Sequence, residues 1–177
     1  MAAAGNHSGL DVPSDWVVRW APLIPRAGRV LDLACGGGRH ARHLAALGYR
    51  VEAVDRDADA LARLAGCAGV TVRTADLEGG PWPYAGERFD GVVVVNYLHR
   101  PLLPRLLEAV ADGGVLIYET FAVGNERFGR PANPDFLLRR GELLEWLGGR
   151  LRIVAYEDVF VPRPRPAMVQ RVCAMRV

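Results

Sequence analysis

The stretch "DLACGGGRHA", from Asp32 to Ala41, places an acid, three glycines and an arginine within ten positions, and two further aspartates follow at Asp55 and Asp76. Glycines packed this closely let a backbone approach a ligand where a side chain would collide. The spacing of Gly36, Gly38 and Ala41 satisfies the dinucleotide fingerprint G-x-G-x-x-G/A, so nicotinamide and flavin ligands enter as one reading. Further along, "NYLH" (96–99) brings Asn96, Tyr97 and His99 together, and a histidine titrating near neutrality suits proton transfer. Glu119, Arg127 and Arg130 are the remaining polar residues with a position suited to a substrate. His40 and His43 lie three apart on one helix face, as a metal pair would, but no third ligand is suggested nearby. A packed or solvated face is therefore favoured for them, and no metal is expected.

These residues need elements to hold them. Ser14 caps a short helix through Trp16 and Trp20. Apolar runs predict strands at 29–34, 49–55, 70–76, 89–96, 115–121, 151–161 and 168–177. Helical patterns lie at 39–48, 57–66, within 101–114 and at 141–149, and residues 122–135 are irregular. The unbroken valines of "FDGVVVVN" suggest a strand buried on both faces. Such alternation implies an α/β fold: a doubly wound, mostly parallel seven-stranded sheet with helices on both faces. The last two strands are joined by the short "RPRP" turn, so one of them runs antiparallel. Ligands bind such sheets beyond the carboxyl ends of the strands, where strand order reverses. The singled-out residues fall there: Asp32 and the glycines after the first strand, Asp55 after the second, Asp76 after the third, Asn96 after the fourth and Glu119 near the end of the fifth. Acids at three successive strand ends would repel a pyrophosphate. They suit a ligand with a cationic centre, a ribose diol and an exocyclic amine.

Composition narrows the classes further. At 177 residues, half of them apolar, the chain has material for one domain, expected over 13–177, and too little for a second of ordinary size. A dinucleotide enzyme would lack a second domain to hold its hydride acceptor. All 22 basic residues are arginine, which removes lysine Schiff-base, pyridoxal phosphate and P-loop chemistry. Cys35, Cys67 and Cys173 are too scattered for an iron–sulfur cluster, and their odd number argues for a reducing, cytoplasmic setting. No apolar run approaches the ~20 residues of a membrane span. The first residues, "MAAAGNHSGLD", lack a basic region followed by an apolar stretch, so 1–12 reads as a disordered lead rather than a secretory signal. A net charge of +2 does not by itself imply nucleic acid.

The segment Asp32–Gly38 resembles motif I, D/E-x-G-x-G-x-G, of class I S-adenosylmethionine-dependent methyltransferases, and the resemblance extends over nearly all the chain. It implies an enzyme with S-adenosylmethionine as cofactor and S-adenosylhomocysteine as product. On this likeness Gly36 and Gly38 approach the methionine part, with Asp32 and Ala34 in the same motif and Arg39 pairing with the ligand carboxylate. Asp55, beside Arg56, accepts from the ribose hydroxyls. Asp76 receives the adenine amino group, the Leu77 amide lies beside the ring, and the backbone near Asn96 faces the methionine ammonium. Ala34 replaces the usual first glycine of the motif, the mildest departure available.

More narrowly, "GGGRHARHLAALGYRVEAVD" and "FLLRRGELLEWL" resemble tellurite-resistance-type methyltransferases. That likeness implies a small-molecule acceptor: a thiol, a chalcogen oxyanion or a small acid. Exocyclic-amine methylation of nucleic acid goes with an N-P-P-Y type motif, and "NYLH" lacks both prolines, so no nucleic-acid partner is expected. Action on protein or RNA, or cofactor binding without catalysis, stays as the alternative. The acceptor is expected near Tyr97, His99, Glu119, Arg127 and Arg130, with His99 as general base if a proton must leave. Residues 121–136 are placed to form a lid over it, Trp16 and Trp20 are expected in the core with Trp16 also a candidate cover for the cofactor, and the protein is expected to be a monomer or homodimer.

Overall fold

Strands apolar on both faces need cover on both sides, and helices returning between parallel strands supply it. The computed structural model describes residues 11–177, so the expected lead falls outside the described residues except for Asp11 and Val12. In chain order the elements are α1 (Asp15–Trp20), β1 (Arg29–Leu33), α2 (Arg39–Ala46), β2 (Arg50–Asp55), α3 (Ala58–Ala62) and β3 (Val70–Thr74). There follow β4 (Phe89–Val95), α4 (Leu103–Ala109), β5 (Val110–Phe121), α5 (Glu142–Leu147), β6 (Arg152–Val161) and β7 (Ala167–Met175). The strands form one seven-stranded sheet in the order β3-β2-β1-β4-β5-β7-β6. Pairing is parallel from β3 to β5, and β7 runs antiparallel to both neighbours, because the β6–β7 connection is too short for a crossover.

Alternation along the strands divides the core between the two faces. Leu31, Leu33, Val92 and Val94 pack with α4 and α5 through Leu103, Leu106, Leu143 and Leu147. Val30, Val93 and Val95 face the other way, onto Trp16 and Val17 of α1, Ala41 and Leu44 of α2 and Leu61 of α3. The valine run of β4 is thus buried on both faces, as its composition predicts.

Boundaries differ from expectation where glycine or hydrogen bonding intervenes. The helix expected within 101–114 ends at Ala109, and β5 starts at Val110 instead of 115. "DGG" (112–114) is absorbed as a bulge: Phe89 faces Val110, whereas Gly91 faces Val115. A side chain at Gly114 would sit 2.8 Å from the Ala111 carbonyl oxygen. The helix expected over 57–66 stops at Ala62, after which Arg63, Leu64 and Ala65 donate to carbonyls three residues back. Residues 122–135 carry short 3₁₀ turns at Asn125–Arg127 and Pro134–Phe136, and Ala122 bridges to Leu138. No helix among the described residues is long and apolar enough to cross a membrane, and Cys35, Cys67 and Cys173 form no disulfide.

Candidate active site

Strand order reverses between β1 and β4, and the residues that leave these two strands carry the site. Ala34 (φ +52°) and Asn96 (φ +58°) both take the left-handed conformation, which asparagine tolerates and alanine adopts at a cost of ~1–2 kcal/mol. The two turns open cavities on either side. One, of about 240 Å³, is lined by Ala34, Asp55, Arg56, Asp76, Leu77 and Tyr97 among others. The next, of about 280 Å³, is lined by Asp32, Ala34, Gly36, Arg39 and His40 among others. A third, of about 490 Å³, opens beside Arg39, Glu119, Phe121 and Arg130. Asn96 lines all three.

Asp55 braces the glycine loop from the end of β2. Its Oδ2 accepts from the Gly36 amide at 2.8 Å and its Oδ1 from the Asp57 amide at 2.9 Å. Gly36 (φ +53°) has open space where a Cβ would stand. At Gly38 (φ +73°) a Cβ would lie 2.5 Å from Leu64 Cδ1, so glycine lets α2 start against the turn that follows α3. Asp76 sits two residues beyond β3, where its Oδ1 accepts from the amides of Glu78 (3.0 Å) and Gly79 (3.1 Å). Those two bonds hold its carboxyl below the usual range.

Asp32 is 1% exposed, and its Oδ2 has no hydrogen-bond partner among the described residues. Burial raises its pKa to about 7, against the opposing pull of the Ala41 amide and the Arg39 charge. A buried carboxylate oxygen that lines a cavity without a hydrogen-bond partner fits a ligand cation. Together with Asp55 and Asp76 at the other end, it fits an ammonium, a diol and an amine along one trough. It does not fit a pyrophosphate over the glycine loop.

The wall between the second and third cavities comes from residues 11–15. The Ser14 hydroxyl donates to Glu119 Oε1 at 2.7 Å, and Arg171 donates to Glu119 Oε2 at 3.2 Å. The Ser14 amide donates to His40 Nε2 at 3.1 Å, which makes His40 a neutral acceptor. Burial lowers the His40 pKa to about 3, with Arg39 and His43 acting in the same direction. His40 is therefore part of a packed wall. No group of three or more His, Cys, Asp or Glu among the described residues could hold a metal ion. Arg39 donates to the Val12 carbonyl at 3.2 Å. Its pKa is lowered by burial while Glu119 and Asp32 support its charge.

The structure thus gathers Asp32, Gly36 and Arg39 on one side of Asn96 and Asp55, Arg56, Asp76 and Leu77 on the other, with Ala34 lining both. Glu119 and Arg130 face the large cavity. Tyr97, expected near the acceptor, lies instead on the cavity with Asp55 and Asp76. His99 and Arg127 line none of the three cavities, and His99 is close enough to Asp76 to favour its ionisation. Trp16 lines none either: it is 2% exposed and donates from Nε1 to the Val172 carbonyl at 3.1 Å, so it belongs to the core. Sequence reasoning missed Asn125, Arg163, Arg165 and Arg171, all on the wall of the large cavity. The only advance signal was the "RPRP" repeat, read there as a connection.

This arrangement, a glycine loop with acids after successive strands of a 3-2-1-4-5-7-6 sheet, has relatives. Residues 30–113 match the family described as Methyltransferase domain. A protein-L-isoaspartate O-methyltransferase of Chlorobaculum tepidum is 34% identical over 125 residues, covering 67% of this chain and 54% of that protein. The structure of TehB from Haemophilus influenzae superposes with a TM-score of 0.76 at 20% identity, over 93% of this chain and 63% of that one. The 1,6-didemethyltoxoflavin-N1-methyltransferase of Burkholderia thailandensis, solved with 1,6-didemethyltoxoflavin and S-adenosylhomocysteine bound, gives 0.68 at 22% identity, over 92% and 76%. The fold is that of the class I methyltransferases. TehB is among the chain's structural neighbours, and the chain spans about half the length of the curated relative it matches.

Proposed function

We propose that the protein is an S-adenosylmethionine-dependent methyltransferase acting on a small-molecule acceptor. The observation that carries this reading is Asn96, where an acid-lined trough for the cofactor meets a separate, larger cavity. Asp55 and Arg56 would hold the ribose side, and Asp76 and the Leu77 amide the adenine. Asp32, Gly36 and Arg39 would hold the methionine end. When bound, S-adenosylmethionine supplies a methyl group on a positively charged sulfur, and transfer leaves the neutral thioether S-adenosylhomocysteine, any acceptor proton passing to solvent. The chain's own contribution is to orient the two reactants at the Asn96 junction, a proximity effect worth up to ~7–11 kcal/mol in the best model systems.

Calorimetry should show binding of S-adenosylmethionine and S-adenosylhomocysteine and none of NAD. Asp55→Ala removes both a ligand acceptor and the brace on Gly36, so affinity should fall by about 1.5–3 kcal/mol. NAD binding with S-adenosylhomocysteine ignored would sink the reading.

A further inference from the structure

We propose that the acceptor is an organic anion: an apolar body bearing a carboxylate, sulfonate or phosphate, whose anionic group is gripped by Arg130, Arg163 and Arg165. This rests on the methyltransferase reading and names the substrate class of the same site. Size is the first support. The cavity of about 490 Å³ falls among pockets that take drug-sized ligands, roughly 300–1,000 Å³. An inorganic oxyanion, only a few times the ~30 Å³ of a water molecule, would leave most of it unfilled. The walls are the second. Phe121, Phe128, Val161, Pro164, Pro166 and Val169 present an apolar surface that an inorganic ion cannot use.

Charge is the third support. Among the arginines that line this cavity, Arg171 is paired with Glu119 and Glu157, and Arg39 has Glu119 and Asp32 beside it. Arg130, Arg163 and Arg165 line only this cavity and make no hydrogen bond or ion pair among the described residues. The two lining acids do not offset them: Glu119 is engaged by Ser14 and Arg171, which leaves Asp15 alone. Arg165 also stands close enough to Arg39 to disfavour its charge, adding to the effect of burial. An anion between these cations relieves that repulsion, and the arginine fork suits a carboxylate or phosphate in two-point contact.

Local structure holds the three residues in place. Alternating prolines at 162, 164 and 166 restrict the backbone of the β6–β7 hairpin that carries Arg163 and Arg165. Arg130 comes from the facing segment, which Asn125 ties to β7 by accepting from the Met168 amide at 3.2 Å. The cations therefore come from two separate segments that line one cavity, and Asn96 and Arg39 lie on the wall shared with the cofactor trough. An acceptor bound by its anionic end at those cations directs its other end toward the junction.

The test measures binding to the full chain by calorimetry, with S-adenosylhomocysteine present. The probes are 1-naphthoate, the neutral isostere 1-naphthalenemethanol, selenite, tellurite and a short isoaspartyl peptide. Naphthoate should bind at least tenfold more tightly than the alcohol and than either inorganic ion. Arg163→Ala/Arg165→Ala and Arg130→Ala should each weaken naphthoate at least fivefold while leaving S-adenosylhomocysteine affinity within twofold. Equal binding of acid and alcohol, preference for selenite or tellurite, or binding of the peptide alone overturns the proposal. So does naphthoate binding that ignores the arginine variants. Failure of S-adenosylhomocysteine itself to bind is a separate result and overturns the methyltransferase reading instead.

Discussion

Asp32 shows how one residue can link ligand and proton. Without a ligand its buried carboxyl holds a proton up to about pH 7. A cation beside it favours the ionised form, so binding of S-adenosylmethionine below pH 7 should release close to one proton. Titrations in buffers of different ionisation enthalpy would count it, and affinity should rise with pH until about 7. Asp32→Asn should abolish the release and weaken binding at least tenfold, whereas undiminished release would place the proton on another group. His99 invites the opposite expectation. It stands by Asp76 and away from the large cavity, so His99→Asn should change kcat by less than about twofold; a drop of ~10²-fold, the scale of general-base loss, would return it to that role.

At the scale of elements, the segment 122–138 is built as a strapped loop. Asn125 is 2% exposed, and its side-chain amide donates to the Pro131 carbonyl at 2.9 Å while its oxygen takes the Met168 amide. Asn125→Ala strands these groups and should cost about 1–3 kcal/mol. Limited proteolysis should then cut between 125 and 131 in the variant and spare the parent protein; equal cutting of both would mean the strap does not hold the loop. Nothing in "FAVGNERFGRPANPDF" reveals this, because the partner lies 43 residues further on in β7. What was legible are features that depend on local pattern: the valines of β4, the glycine loop, and acids placed after strands. Arg163 and Arg165 were not, since they gain a role only when the last hairpin folds beside Glu119. The direction of Tyr97 and His99 likewise follows from the turn at Asn96, whose positive φ no spacing rule discloses.

Over the whole molecule, two buried groups on one cavity wall should set the dependence of stability on pH in opposite directions. His40 titrates near 3 in the folded protein and near 6.5 when unfolded, so as pH falls below 6.5 the unfolded chain takes up a proton the folded one refuses. Its contribution therefore makes stability rise with pH from about 3 to 6.5, by about 1.4 kcal/mol per unit. Asp32 titrates near 7 folded and near 3.8 unfolded, so between these values the unfolded chain has lost a proton the folded one keeps. That contribution makes stability fall with pH over about 4 to 7, at a similar slope. Across pH 4–6.5 these two contributions offset each other, and the slope left to the unliganded parent protein comes from smaller shifts, such as that of His43, which burial also lowers. Asp32→Asn should expose the rising limb. His40→Gln, which keeps an acceptor for the Ser14 amide, should expose the falling one. Urea denaturation at half-unit steps of pH measures both slopes; profiles that stay parallel to the parent in both variants would show that neither group titrates as its burial requires.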